Sequence, residues 1–234
     1  MINLSGRLLK IAQMVDKCNV VADIGTDHAY IPIYLLQAGI CKKAVATDIS
    51  RAPLLKAERN INKYNLAEGI ELRPGEGMEP IGEDECDVIV MAGIGGYLIS
   101  EILEASFNKA RKAKSIIMQP MYTDEVLREY LLTKGFNITN EVLVRDGRRI
   151  YVIIKAAYDG IRRKEPSLFC HIGRPLFDNR DPLLKTHLER KIRIQAKIVK
   201  GLHKSGVSGG DKHKKEEEIL LQLQNAYKKY YDNQ

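Results

Sequence analysis

Apolar positions recur along this chain in two rhythms. Short apolar runs bounded by polar residues or glycine read as buried strands: Val20–Ala22, Ala44–Asp48, Ile70–Arg73, Cys86–Met91, Ser115–Gln119, Phe136–Val144 and Arg149–Ala156. Helical spacing separates them. Leu4, Leu8, Leu9, Ile11, Ala12 and Val15 fall on one face, with Ser5-Gly6 near the start. Ile31–Leu36 follows, with Pro32 in its first turn and Gly39 as its stop. Ala52–Tyr64, Ile99–Phe107 and Glu125–Thr133 complete the series. Strand and helix alternate five times, which predicts an α/β fold with helices on both faces of a mostly parallel sheet. The last two strands meet at Asp146-Gly147, a hairpin signal, so the seven-stranded sheet is expected to carry an antiparallel edge strand.

Past residue 160 the rhythm changes. Leu184, Leu188, Ile192, Val199 and Leu202 lie near one stripe of a helix over Pro182–Leu202. Ser205–Gly210 reads as a flexible break, and Glu216–Tyr231 resumes with Leu220, Leu223, Tyr227 and Tyr230. Two helices joined in this way predict an antiparallel hairpin. The expected domains are 1–160, the α/β body, and 161–234, a coiled-coil-like helical appendage.

Charge sharpens that division. The chain carries a formal +7, but residues 160–234 hold 17 Lys and Arg against 9 Asp and Glu, and the preceding residues 20 against 21. A near-neutral body with a basic hairpin suits a polyanionic partner, with Lys191 and Lys197 among the lysines on the hairpin's exposed faces; a solvated helical surface is the plainer reading. The four cysteines are far apart with no Cys-x-x-Cys pair, so they read as packed thiols and no metal is expected. The N-terminal segment is charged and helical in spacing, unlike a secretory signal, and no apolar run is long enough to span a bilayer. A cytoplasmic protein, most simply a monomer, is the expectation.

In an open parallel sheet the ligand lies beyond the carboxyl ends of the strands. Asp23–Tyr30, Asp48, Gly75–Gly77 and Met91–Gly96 are thereby predicted to share one crevice. A dinucleotide site would place G-x-G-x-x-G after the first strand; here only Gly25 remains, and Asp27 and His28-Ala29 take the later places. A carboxylate there repels a pyrophosphate by roughly 1 kcal/mol or more and suits a cation. S-adenosylmethionine, with an ammonium, a sulfonium and no phosphate, fits Asp23 and Asp27. Asp48 suits a pair of ribose hydroxyls, or else caps the next helix. Gly75 and Gly77 let the backbone approach a flat ring, with Glu76 as acceptor for an adenine amino group, or else form a plain turn. The glycines of Met91-Ala92-Gly93-Ile94-Gly95-Gly96 open space for a planar substrate, and Gln119-Pro120 can line the same pocket. No Asp-Pro-Pro-aromatic tetrapeptide follows the fourth strand, which argues against methylation of an exocyclic amine.

With DIGTDHAYIP (23–32), ATDIS (46–50), PGEGM (74–78), MAGIGG (91–96), QP (119–120), DGRRIY (146–151) and IGRPLF (172–177), the chain resembles the bacterial TrmK family of tRNA (adenine(22)-N1)-methyltransferases along essentially its whole length. Glu76 stands where the family is expected to have Asp, and both accept hydrogen bonds. The resemblance implies a class I, Rossmann-like methyltransferase domain, S-adenosylmethionine as methyl donor, and a C-terminal helical domain that helps hold tRNA. It implies cofactor contacts at Asp23, Gly25, Asp27, His28, Asp48, Gly75, Glu76, Gly77, Met91, Ala92 and Gly93, with Arg7 and Asn60 in addition. Asp27, His28 and Tyr30 are the candidates for acting on the target adenine. Ile94, Gly95, Gly96, Gln119, Pro120, Arg148, Arg149, Lys191 and Lys197 are the candidates for holding substrate. A methyltransferase for another RNA site or another substrate, and a non-catalytic RNA-binding module, are the rival readings. A nicotinamide oxidoreductase is disfavoured by Asp27.

Overall fold

The structure, a computed structural model, describes residues 1–4, 6–204 and 210–232. Ser5 and most of the expected Gly/Ser break, at 205–209, lie outside them. The first unit, Met1–Lys164, contains α1 (Gly6–Met14), β1 (Val20–Ile24), α2 (Tyr30–Gln37), β2 (Lys43–Asp48), α3 (Arg51–Lys63), β3 (Ile70–Pro74), β4 (Val88–Ile94), α4 (Gly96–Ala105), α5 (Phe107–Ala110), β5 (Ser115–Pro120), α6 (Asp124–Lys134), β6 (Phe136–Asp146) and β7 (Arg149–Tyr158). Each predicted strand and helix is present.

The seven strands run in the order β3-β2-β1-β4-β5-β7-β6. β1 pairs in parallel with both β2 and β4, so the chain winds outward to β3 and then crosses back. That reversal leaves a crevice at the carboxyl ends of β1 and β4, where open α/β sheets bind ligands. The antiparallel strand is β7, and it is not at the edge. It inserts between β5 and β6, antiparallel to each, and β6 forms the rim parallel to the rest. A two-residue hairpin requires only that β6 and β7 be neighbours. It does not say which of them meets β5. Val21, Val90, Ile116, Ile117 and Met118 are fully buried. Cover on both faces explains why these strands are continuously apolar rather than alternating.

The second unit begins at Glu165, slightly later than expected. Arg163 ties the intervening segment to the first unit: its N–H donates to Leu132 O at 2.8 Å, and its guanidinium pairs with Asp159. Two short helices that periodicity did not reveal, α7 (Ser167–Ile172) and α8 (Arg174–Asp178), precede α9 (Leu184–Lys204) and α10 (Asp211–Tyr227), after which Lys228–Asp232 forms a π-helical turn. Short helices bury too few residues to show a period.

The hairpin is antiparallel: Tyr227 Oη donates to Glu189 at 2.9 Å, Gln195 Nε2 to Glu216 O at 3.0 Å, and His203 meets His213. Its seam holds Leu184, Leu188 and Val199 against Ile219, Leu223 and Ala226, so the buried stripe of α10 is rotated from the predicted one. Tyr230, expected on the stripe, is exposed and packs on Phe177 at 4.9 Å.

Candidate active site

The crevice is built at the end of β1. The chain turns at Gly25 with φ +76, a left-handed conformation that favours glycine. The N–H groups of Gly25 and Thr26 both donate to Thr47 O, at 2.8 and 2.9 Å, which clips the loop to the end of β2. Thr26 Oγ1 accepts the N–H of Ala29 at 3.1 Å and fixes the turn into α2.

Asp23 is buried beneath this loop. Loss of hydration raises its carboxyl to about 6, partly opposed by a hydrogen bond from the Thr26 hydroxyl. Asp27 lies above, exposed, with one oxygen 3.0 Å from Lys56 Nζ and the other 3.1 Å from His28 Nε2. The His28 ring stacks on Tyr30, centroids 4.9 Å apart and planes within 10°. Asn60 Nδ2 donates to His28 O at 3.0 Å, so Lys56 and Asn60, one turn apart on α3, together hold the Asp27–His28 segment. Lys56 was not anticipated. Its only sequence signal is the shared face with Asn60.

Asp48 closes β2 and braces the turn into α3. Oδ1 accepts the N–H of Ser50 at 2.7 Å, just before α3, and the group stays half-exposed at the crevice. The glycines of the next two loops serve the protein's own packing. A Cβ on Gly75 would stand 2.3 Å from Pro80 Cγ, and one on Gly77 would stand 3.0 Å from Ile102 Cγ2. Glu76 between them is exposed. Met91 is buried, Ala92 is half-buried, and the register slips between Ala92 and Ile94, a bulge at Gly93 with φ +84.

Gly95 and Gly96 do not leave open space for a planar substrate, as their composition suggested. A Cβ on Gly95 would lie 2.6 Å from the Tyr122 ring, and one on Gly96 would lie 2.3 Å from Thr123 O. The loop after β5 fills that volume: Gly96 N–H donates to Tyr122 O at 2.9 Å, and Met121 N–H to Ile94 O at 2.9 Å.

Gln119 is buried at the end of β5 and accepts from Arg7 Nη1 at 2.5 Å, while its Nε2 donates to Pro120 O at 2.8 Å. Arg7 therefore reaches the crevice from α1, next to Gly93, and its own N–H donates to Asp146 Oδ2 at 3.2 Å. Arg148 and Arg149 are exposed at the β6–β7 turn, which lies at this end of the sheet because β6 runs parallel to β5. Lys191 and Lys197 belong to α9 in the second unit; Lys197 is exposed and Lys191 half-buried. Two tyrosines at the crevice were missed. Tyr97 is 60% exposed at the start of α4, and Tyr122 67% exposed beyond β5, its ring resting on Gly95. Their signal was available: each is an aromatic residue within two positions of a loop that ends a parallel strand.

No helix among the described residues is long and apolar enough to cross a membrane. Cys18, Cys41 and Cys86 have thiols pushed up to about 11 or 12 by burial, which makes them poor nucleophiles.

Residues 4–154 match the methyltransferase domain family. The chain is 36% identical over 167 residues to the tRNA (adenine(22)-N(1))-methyltransferase of Bacillus subtilis, covering 68% of this chain and 70% of that protein. The crystal structure of the B. subtilis m1A22 tRNA methyltransferase TrmK superposes with a TM-score of 0.84 at 28% identity, covering 97% of this chain and 100% of that one. M. capricolum TrmK in complex with S-adenosyl-homocysteine, its natural cofactor product, gives 0.81 at 27%, covering 96% and 97%. At that identity and coverage the chain belongs to the methyltransferase domain family and, within it, to the tRNA (adenine(22)-N(1))-methyltransferases.

Proposed function

We propose that this chain transfers a methyl group from S-adenosylmethionine to N1 of adenine 22 in tRNA. The observation that carries the reading is the gathering of Asp23, Asp27, the His28–Tyr30 stack and Asp48 at the sheet's switch point, in a chain of this family. The crevice fits the cofactor's charges. Asp23 is a buried carboxylate with no basic side chain paired to it among the described residues, so a ligand ammonium would offset its cost of ionisation. Asp48 Oδ2 is available to ribose hydroxyls, and exposed Glu76 to an adenine amino group. When bound, S-adenosylmethionine supplies an electrophilic methyl on a sulfonium.

Adenine N1 is unprotonated at neutral pH, so no side chain has to remove a proton. The protein's task is alignment, worth several kcal/mol. N1 lies on the Watson–Crick edge, and exposing it costs a few kcal/mol of pairing and stacking. An aromatic platform returns about 1–3 kcal/mol per base. Tyr30, already stacked on His28, and the exposed Tyr122 are suited to that work. Asp27 can orient the adenine amino group and stabilise the cationic ring of the product, with Lys56 and His28 holding its carboxylate in place. The basic unit from Glu165 onward supplies phosphate contacts.

Incubating the protein with labelled S-adenosylmethionine and an unmodified tRNA transcript tests the reading. N1-methyladenosine, identified by mass spectrometry and lost when adenine 22 is replaced, is the expected product. Cofactor binding without incorporation into a panel of tRNAs would refute the substrate assignment.

A further inference from the structure

The second unit contains a side-chain cluster that the catalytic reading does not use. His203 lies on the last turn of α9, and His213 and Glu217 lie one turn apart on α10, across the hairpin's tip. One nitrogen or oxygen from each lies within 4.8 Å of the others. His203 Nε2 is 3.5 Å from Glu217 Oε1, and His213 Nδ1 is 3.4 Å from Glu217 Oε2. These separations are long for charge-assisted hydrogen bonds, which close to about 2.7–2.9 Å. They match the edge of a coordination tetrahedron, about 3.4 Å for metal–ligand bonds of about 2.1 Å.

The two rings meet edge to face, centroids 4.2 Å apart and planes at 79°, an arrangement that brings ring edges together without stacking. His213 is 3% exposed, and its Nε2 has no hydrogen-bond partner among the described residues. Nδ1, 3.4 Å from Glu217, is thus the His213 nitrogen turned to the cluster, and a metal bound there would leave the ring proton on Nε2.

We propose that His203, His213 and Glu217 form a site for a divalent transition metal, zinc by the chemistry of two imidazoles and one carboxylate, with water completing the tetrahedron. The ion would cross-link α9 to α10 beside the loop that joins them. It would also fix the tip that carries Lys200, Lys212, Lys214 and Lys215. The spacing His-x9-His-x3-Glu was passed over because cysteine pairs were the zinc signal sought. The proposal stands independently of the methyl-transfer reading.

The test uses untagged, full-length protein stripped with a chelator and titrated with Zn2+ against a chromophoric competitor. One saturable site per chain is expected. His203→Ala and Glu217→Gln should each weaken it by at least ~100-fold, more than changes outside the ligand set usually cost. Both side chains are about half exposed, so neither variant opens a core cavity, and circular dichroism checks that helicity is retained. Cobalt(II) in the same site should give the visible bands of a four-coordinate ion without a thiolate charge-transfer band. Absence of saturable Zn2+ binding, or binding unchanged by both substitutions, overturns the proposal, as does a thiolate signature pointing to the cysteines.

Discussion

Asp23 shows how one residue couples stability to ligand binding. Its carboxyl is raised from 3.8 to about 6, so the folded chain holds this proton more tightly than the unfolded chain does. Stability therefore falls as pH rises from about 4 to about 6 and levels off above, by about 3 kcal/mol for a shift of this size. Asp23→Asn should abolish that slope, matching the parent near pH 4 and exceeding its stability at pH 8. Urea denaturation across this range, taken as the difference between the two proteins, isolates the effect. The proposed ammonium contact runs the other way: affinity for S-adenosylmethionine should drop about tenfold per pH unit below 6. The Asn variant should bind weakly at every pH. A calorimetric titration in which both proteins keep the same pH profile would remove Asp23 from the ammonium site. Tyr122 is a second residue-scale case. Tyr122→Ala should leave cofactor affinity intact and weaken tRNA binding about 5- to 100-fold, the loss of one stacked base. Unchanged tRNA affinity in a filter-binding assay would make it an ordinary exposed ring.

Among the elements, α6 does much to position the crevice. Arg128 is fully buried and pairs with Asp124 at 2.7 Å within α6 and with Glu141 at 2.5 Å on β6. The two carboxylates hold its guanidinium charged despite burial. The N-terminus of the same helix meets α4: Tyr97 N–H donates to Thr123 Oγ1 at 3.2 Å, and the Gly96 Cα stands against the Thr123 carbonyl. Arg128→Met leaves two carboxylates without the guanidinium that neutralises them and should cost about 3–5 kcal/mol, read as a fall in the denaturation midpoint. Gly96→Ala should perturb the loop after β5 with a smaller loss of stability, and lower activity more than Tm. These elements also show what the sequence disclosed. Continuous apolar runs identified the central strands β1, β4 and β5, because a sheet covered on both faces leaves no alternation to misread, while β3 and β6 at the rims are interrupted by polar residues. Asp23, Asp27, His28 and Asp48 were legible because strand ends in such a sheet converge. The place of β7, the packing role of Gly95 and Gly96, and the hold of Lys56 on Asp27 depend on contacts between distant segments. No local pattern encodes those. The His203–His213–Glu217 cluster was hidden for the same reason, since His203 lies on α9 and only the folded hairpin brings it to the pair on α10.

At the scale of the whole molecule, charge and chemistry are divided between two units. The first, near neutral, carries the carboxylates of the crevice; the second, from Glu165, holds 14 Lys and Arg against 9 Asp and Glu, a net +5. A carboxylate-lined crevice repels RNA phosphates, so affinity for a polyanion has to come from elsewhere on the chain. Exposed lysines at Lys197, Lys200, Lys212 and Lys214 are suited to supply it without reading sequence. Each phosphate neutralised releases a counterion, and log affinity should fall linearly with log salt, by about 0.7–0.9 per contact. Replacing Lys197 and Lys200 together by Ala should reduce that slope by about 1.4–1.8 and leave S-adenosylmethionine affinity unchanged. The methyl-transfer rate at saturating tRNA should also hold, since these residues act on encounter and not on alignment. Binding measured between about 50 and 200 mM salt decides the matter. A slope untouched by the double substitution, and again by replacing Lys212 and Lys214, would mean that tRNA is held through the first unit, with Arg148 and Arg149 at the β6–β7 turn as the cations to replace next.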